Sequence, residues 1–71
     1  MGMAFEITED DVENVMSKHL KNVSQKMVEN AFEEIDHGRV ERSALYGNDM
    51  DEQTSFALQD IEHQLQELKI I

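Results

Sequence analysis

Two four-residue stretches carry residue types that could hold a metal. Glu34-Ile35-Asp36-His37 and Asp60-Ile61-Glu62-His63 each place a carboxylate and an imidazole three residues apart. On a helix that spacing puts both side chains on one side, and paired Glu-x-x-His motifs carry the di-iron sites of ferritin-like bundles. Such a site also needs an inward-pointing Glu from each of two further helices. Here Ile35 and Ile61 mark the apolar faces and lie between acid and imidazole, which sets the ligands at the edge of each buried stripe. The plainer reading is solvated polar residues, and no metal or other cofactor is expected. Asp49-Met50-Asp51-Glu52 lacks the alternating oxygen ligands and central Gly of a calcium loop, so it reads as a helix cap.

Nucleophilic chemistry has little support either. The chain has no Cys, no Ser in a nucleophile-elbow setting and no Gly-rich phosphate loop. His19, His37 and His63 read as surface residues. No catalytic residue is expected, and the chain reads as a non-enzyme.

The acids are the stronger signal. Sixteen Asp and Glu against six Lys and Arg leave a formal charge of −10 on 71 residues. That balance repels nucleic acid and anionic membrane, opposes compaction and suits a basic protein partner. Glu6, Glu9, Asp10, Asp11 and Glu13 form one group, and Asp49, Asp51 and Glu52 another; both fall at helix N-termini, where the dipole favours them. Glu29, Glu33, Glu34 and Asp36 do not. They fall late in the second helix, and Glu29 and Glu33 repel across one turn. A local rule broken without compensation points to function. The candidate partner-binding residues are therefore Glu9, Asp10, Glu13, Glu29, Glu33, Glu34 and Asp36, joined by the aromatics Tyr46 and Phe56. Phe56 lies to one side of the Ile61, Leu65 and Leu68 face, with Asp60 and His63, and Tyr46 precedes Gly47. Both aromatics could pack on the third helix; otherwise they form an interface rimmed by acids.

The elements that must position these residues are helices. There is no Pro, Gly occurs only at positions 2, 38 and 47, and the apolar spacing is helical throughout. The reading is a small all-α bundle, a single domain over 1–71, with three main helices and one short one. An N-terminal extension over 1–7 precedes helices at 8–21, 24–36, 39–46 and 49–69. Thr8, Ser24 and Asp49 are the expected caps, with Asp11 and Glu52 as capping-box acids, and Ile7–Val12 and Val23–Val28 as apolar staples. Gly38 is expected to end the second helix in the left-handed conformation, and Gly47 to stop the third. One continuous helix from Glu9 to Ile35 is the alternative to the first two. Val15, Met16, Leu20, Val28, Phe32, Ile35, Leu45, Ile61 and Leu65 are the expected core, and short connections favour antiparallel neighbours.

A core this small supplies roughly 3–5 kcal/mol, and without Cys no disulfide adds to it, so a homodimer stays open. No apolar run approaches the roughly 18 residues that span a bilayer. The start, Met1-Gly2-Met3-Ala4-Phe5-Glu6, lacks the pattern of a signal peptide, and Glu6 stands where a myristoylation signal has Ser or Thr. A cytoplasmic protein is expected.

The stretch Ala44-Leu45-Tyr46-Gly47-Asn48-Asp49-Met50-Asp51-Glu52-Gln53-Thr54 resembles segments of small acidic proteins of phages and mobile elements, without picking out one named family. Anti-CRISPR and anti-restriction proteins of this kind inhibit nucleic-acid-binding machinery, some by presenting carboxylates where phosphates would sit. The resemblance implies a protein-binding inhibitor or regulator of a basic nucleic-acid-handling protein. The alternative is a structural or adaptor protein that self-associates, or docks on another helical chain through the apolar side of its last helix.

Overall fold

A computed structural model describes residues 6–71 as four helices, α1 (Glu9–His19), α2 (Gln25–Glu34), α3 (His37–Ala44) and α4 (Met50–Glu67). No strand occurs among the described residues, and the chain is a small all-α bundle. The N-terminal extension is described only from Glu6, so the readings of Met1 to Phe5 lie outside the described residues.

Each helix starts where a side chain can take up the free N–H groups of its first turn. Thr8 caps α1 in a full capping box: its hydroxyl accepts the Asp11 N–H, and the Asp11 carboxylate accepts the Thr8 N–H at 3.0 Å. Ser24 accepts the Met27 N–H at 3.2 Å. Asp49 accepts the Glu52 N–H at 2.9 Å, while the Glu52 carboxylate reaches one residue past the cap to the Asn48 N–H. Asp36 is a fourth cap, accepting the Arg39 N–H at 3.1 Å.

That fourth cap corrects the reading of Asp36-His37-Gly38. The second helix ends at Glu34, Ile35 is extended, and α3 begins at His37, two residues earlier than expected. Gly38 sits inside the first turn of α3, and no described Gly has a positive φ. The cause is a side-chain clamp from α4. Gln64 accepts the Asp36 N–H at 2.7 Å and donates to the Asp36 carbonyl at 3.1 Å, which holds this residue extended between two helices.

The continuous-helix alternative also fails, since Leu20 and Ser24 are both extended. The connection runs back along α1, because Gln25 at the start of α2 donates to Glu9 at the start of α1. The two helices therefore begin at the same end, where a short connection had suggested antiparallel neighbours. By contrast α3 and α4 form an antiparallel hairpin, with Arg39 beside Asp60 and Glu67, and Gly47 beside Gln53. Gly47 is needed for closeness: a Cβ there would lie 2.5 Å from the Gln53 backbone nitrogen.

The core gathers on α4, which packs against both α1 and α3. Ala57, Ile61 and Leu65 are fully buried, together with Val12, Met16, Val40 and Ala44, and Ile7, Val15, Val28, Ala31 and Ile35 complete the cluster. Leu20 and Phe32 are only partly buried against it. Leu45 is 62% exposed, against expectation. Val40 and Ala44 are four apart and set the buried stripe of α3; Leu45 lies about 100° around the helix from Ala44 and cannot share it.

The C-terminus folds back. Leu68 closes α4, Lys69 takes a left-handed φ of 62°, the Ile70 N–H reaches the Leu65 carbonyl at 2.9 Å and the Lys69 N–H reaches Gln66 at 3.0 Å. This is a Schellman ending, and Ile70 packs on the core beside its partner Leu65. Lys69 holds the position that Gly fills without a Cβ penalty. Lys69→Gly should therefore stabilise the chain by about 0.5–1 kcal/mol, net of the extra unfolded-state freedom of Gly, and raise the melting temperature by several degrees. A lower melting temperature in a circular-dichroism melt would show that the lysine side chain itself holds the ending.

Candidate functional site

The seven acids read as partner-binding are all exposed, and the fold sorts them into three places. The first is where α1 and α2 begin together. The Gln25 amide donates to Glu9 at 3.1 Å and to Glu29 at 3.3 Å, so carboxylates of two helices lie within one amide's reach. Glu13 follows Glu9 by one turn and Glu33 follows Glu29 by one turn, which extends the surface along both helices. Asp10 is exposed on the same first turn of α1 as Glu9. Among the described residues none of these acids pairs with a Lys or Arg.

Glu34 is separated from that surface. Position 34 lies on the Met27 and Asn30 side of α2, about 100° around the helix from Glu33 and about 140° from Glu29. There it lines an apolar cleft of about 370 Å³ with Met16, Met27, Ala31, Leu68 and Ile70. Asp36 is removed too, since its carboxylate caps α3. The acidic group read along the second helix as one cluster is thus two exposed acids on the α1–α2 face, one at the cleft and one cap.

Tyr46 and Phe56 come together on the far side of the α3–α4 hairpin. They wall a shallow cleft of about 260 Å³ with Ser43, Gln59, Asp60 and His63. Tyr46 is 81% exposed and Phe56 36% exposed, so neither is consumed by the core.

Beneath that cleft runs a polar network that spacing alone did not reveal. Arg39 donates through Nε to Asp60 at 3.1 Å and through Nη1 to Glu67 at 3.1 Å. Gln64 donates to the other Asp60 oxygen at 2.8 Å. Asp60 and Gln64 are both buried. The hydrogen bond from Arg39, with its positive charge, holds the Glu67 carboxyl below the ordinary carboxylate range; Glu67 and then Asp60 raise Arg39 in return. Glu67 is largely exposed, so its pair adds little stability, while the Asp60 contact is the buried one. Position 60 follows the Phe56 side of α4, and only its nearness to Arg39 in the folded hairpin explains a buried acid there.

The imidazoles are engaged elsewhere. His37 donates through Nε2 to the Phe32 carbonyl and its ring lies 4.4 Å from the Phe32 ring. Glu34 closes α2 while His37 opens α3, so that carboxylate and imidazole do not share a helix. His19 Nε2 lies 2.6 Å from Glu62, tying the end of α1 to α4. Among the described residues no three His, Asp or Glu side chains gather as metal ligands would, and no described helix is long and apolar enough to cross a membrane. Comparison with protein families, curated proteins and solved structures finds no match for this chain.

Proposed function

We propose that this chain is a small, non-catalytic acidic module that binds a basic nucleic-acid-handling protein in the cytoplasm and inhibits or regulates it. Its carboxylates would occupy the sites that otherwise hold phosphates, in the manner of small acidic proteins of phages and mobile elements. The observation that carries this reading is the Gln25 bridge, which sets Glu9 and Glu29 side by side with no basic side chain paired to them among the described residues. Exposed carboxylates held on two helices at once form a charge-assisted surface for Lys and Arg, and they steer association over long range. The net charge of −10 makes the same surface a poor one for nucleic acid itself.

The test is the variant carrying Glu13→Lys, Glu29→Lys and Glu33→Lys. None of these side chains caps a helix or enters the core, so the melting curve should stay close to wild type. Binding to a basic partner recovered from the host cytoplasm should weaken at least tenfold, mainly through slower association. Wild-type binding should also fall as salt rises, and duplex DNA should compete for the partner. Equal binding by variant and wild type at physiological salt would end this reading.

A second reading is favoured by Leu45, Tyr46 and Met50, which stand 62%, 81% and 59% exposed around the α3–α4 turn, and by Phe56, which shares a cleft with Tyr46. Grouped exposed apolar side chains suit a helical adaptor that forms a homodimer or docks on another helical chain. That association should not weaken as salt rises, and a homodimer would be visible as concentration-dependent sedimentation.

A further inference from the structure

We infer that the cleft between Tyr46 and Phe56 receives a lysine or arginine side chain, and, resting on the proposed function, that the side chain belongs to the basic partner. Three features of the cleft select a cation. Its walls are two aromatic rings with exposed faces, and a ring face attracts an ammonium or guanidinium group. Among the residues that line it is Asp60, 8% exposed. An ionised carboxylate offers about four acceptor positions. Arg39 and Gln64 fill one on each Asp60 oxygen, which leaves acceptor capacity on a buried group. The third feature is charge. Glu52 lies one turn before Phe56 on the same side of α4, and Glu67 one turn after His63. Arg39 is shared between Asp60 and Glu67, so this triad keeps one net negative charge.

The alternatives fit less well. An anion would face Asp60 and two flanking acids. A wholly apolar group would cover Asp60 and strip water from acceptors it could not satisfy. At about 260 Å³ the cleft is smaller than the roughly 300 Å³ at which small-molecule sites begin, so it suits one side chain better than a cofactor. A lysine stem lies along the rings with its ammonium group at Asp60; arginine stacks its plane on them. Asp60 already accepts one guanidinium donor, from Arg39, so the chemistry has a precedent within the site.

The experiment titrates the ¹⁵N-labelled full chain with N-acetyl-lysine amide, N-acetyl-arginine amide and the uncharged N-acetyl-norleucine amide. The two cations should produce saturable amide shifts at Ser43, Tyr46, Phe56, Gln59 and His63. Norleucine amide should bind at least tenfold more weakly. Tyr46→Leu and Phe56→Leu keep apolar bulk and lie outside the core, and each should weaken cation binding about threefold or more. The variant with Glu13, Glu29 and Glu33 reversed to Lys should still bind both cations at the cleft, so loss of partner binding there and loss of cation binding here are separate results. Norleucine amide binding as tightly as lysine amide would make the cleft merely apolar and overturn the inference. Cation shifts confined to Glu9, Gln25 and Glu29 would overturn it as well.

Discussion

Ile61→Ala should leave much of the chain unfolded at room temperature. Ile61 is fully buried at the middle of α4, the helix that touches both α1 and α3. Truncating a buried Ile to Ala costs about 2–5 kcal/mol, from lost transfer energy and from the cavity left behind. A disulfide-free core of this size supplies roughly 3–5 kcal/mol in total, so a single deletion consumes most of it. The contrast lies at Leu45→Ala, which removes a similar volume from a site 62% exposed and should cost under about 0.5 kcal/mol. Phe32→Ala should fall between the two, because Phe32 is only partly buried and loses its ring contact with His37 along with some core packing. Chemical denaturation followed by circular dichroism ranks the three. If Ile61→Ala melts with Leu45→Ala, the core does not centre on α4.

The parts of this fold that sequence made legible are the local ones. Thr8, Ser24 and Asp49 were readable as caps because a cap is settled by a side chain and the three residues that follow it. The buried stripes of α1, α2 and α4 followed from spacing for the same reason. What escaped depends on residues far apart in the chain. Asp36-His37-Gly38 suits the end of one helix as well as the start of another, and Gln64, 28 residues away, decides for the start. The acids of the second helix looked like one cluster along the chain, yet α2 turns Glu34 toward Met16 and Leu68, while the returning connection brings Glu29 to Glu9. Ile70 and Ile71 gave no sign of direction until Lys69 turned the chain back onto Leu65. Tyr46 and Phe56 were legible as interface candidates but not as the walls of one cleft; their meeting depends on how closely Gly47 lets α3 approach α4.

Gln64→Leu should lower stability by about 2–4 kcal/mol although leucine has nearly the volume of glutamine. The substitution removes three hydrogen bonds at once: the Asp36 N–H at 2.7 Å, the Asp36 carbonyl at 3.1 Å and the Asp60 carboxylate at 2.8 Å. A hydrogen bond is worth about 0.5–1.5 kcal/mol net and one to a charged group about 1.5–3; Asp36 is exposed and Asp60 keeps Arg39, so water and that pair recover part of the loss, and a buried leucine offsets a further part. For a chain of this length that is a fall of roughly 10–30 °C in melting temperature. The effect should be localised in kinetics: amide exchange at Asp36 should accelerate more than at Val12 or Met16, because the α2–α3 junction loosens before the α1–α4 packing does. Asp60→Leu in the same background should cost less than Asp60→Leu alone, since Asp60 then lacks Gln64 already. The functional consequence follows from position. The clamp fixes α2, which carries Glu29 and Glu33, relative to the α3–α4 hairpin, which carries Tyr46 and Phe56. Loosening it below the melting temperature should weaken a partner that grips the acidic face and the cleft together. A Gln64→Leu chain that melts with wild type and exchanges its Asp36 amide no faster would mean that the junction is held by packing alone.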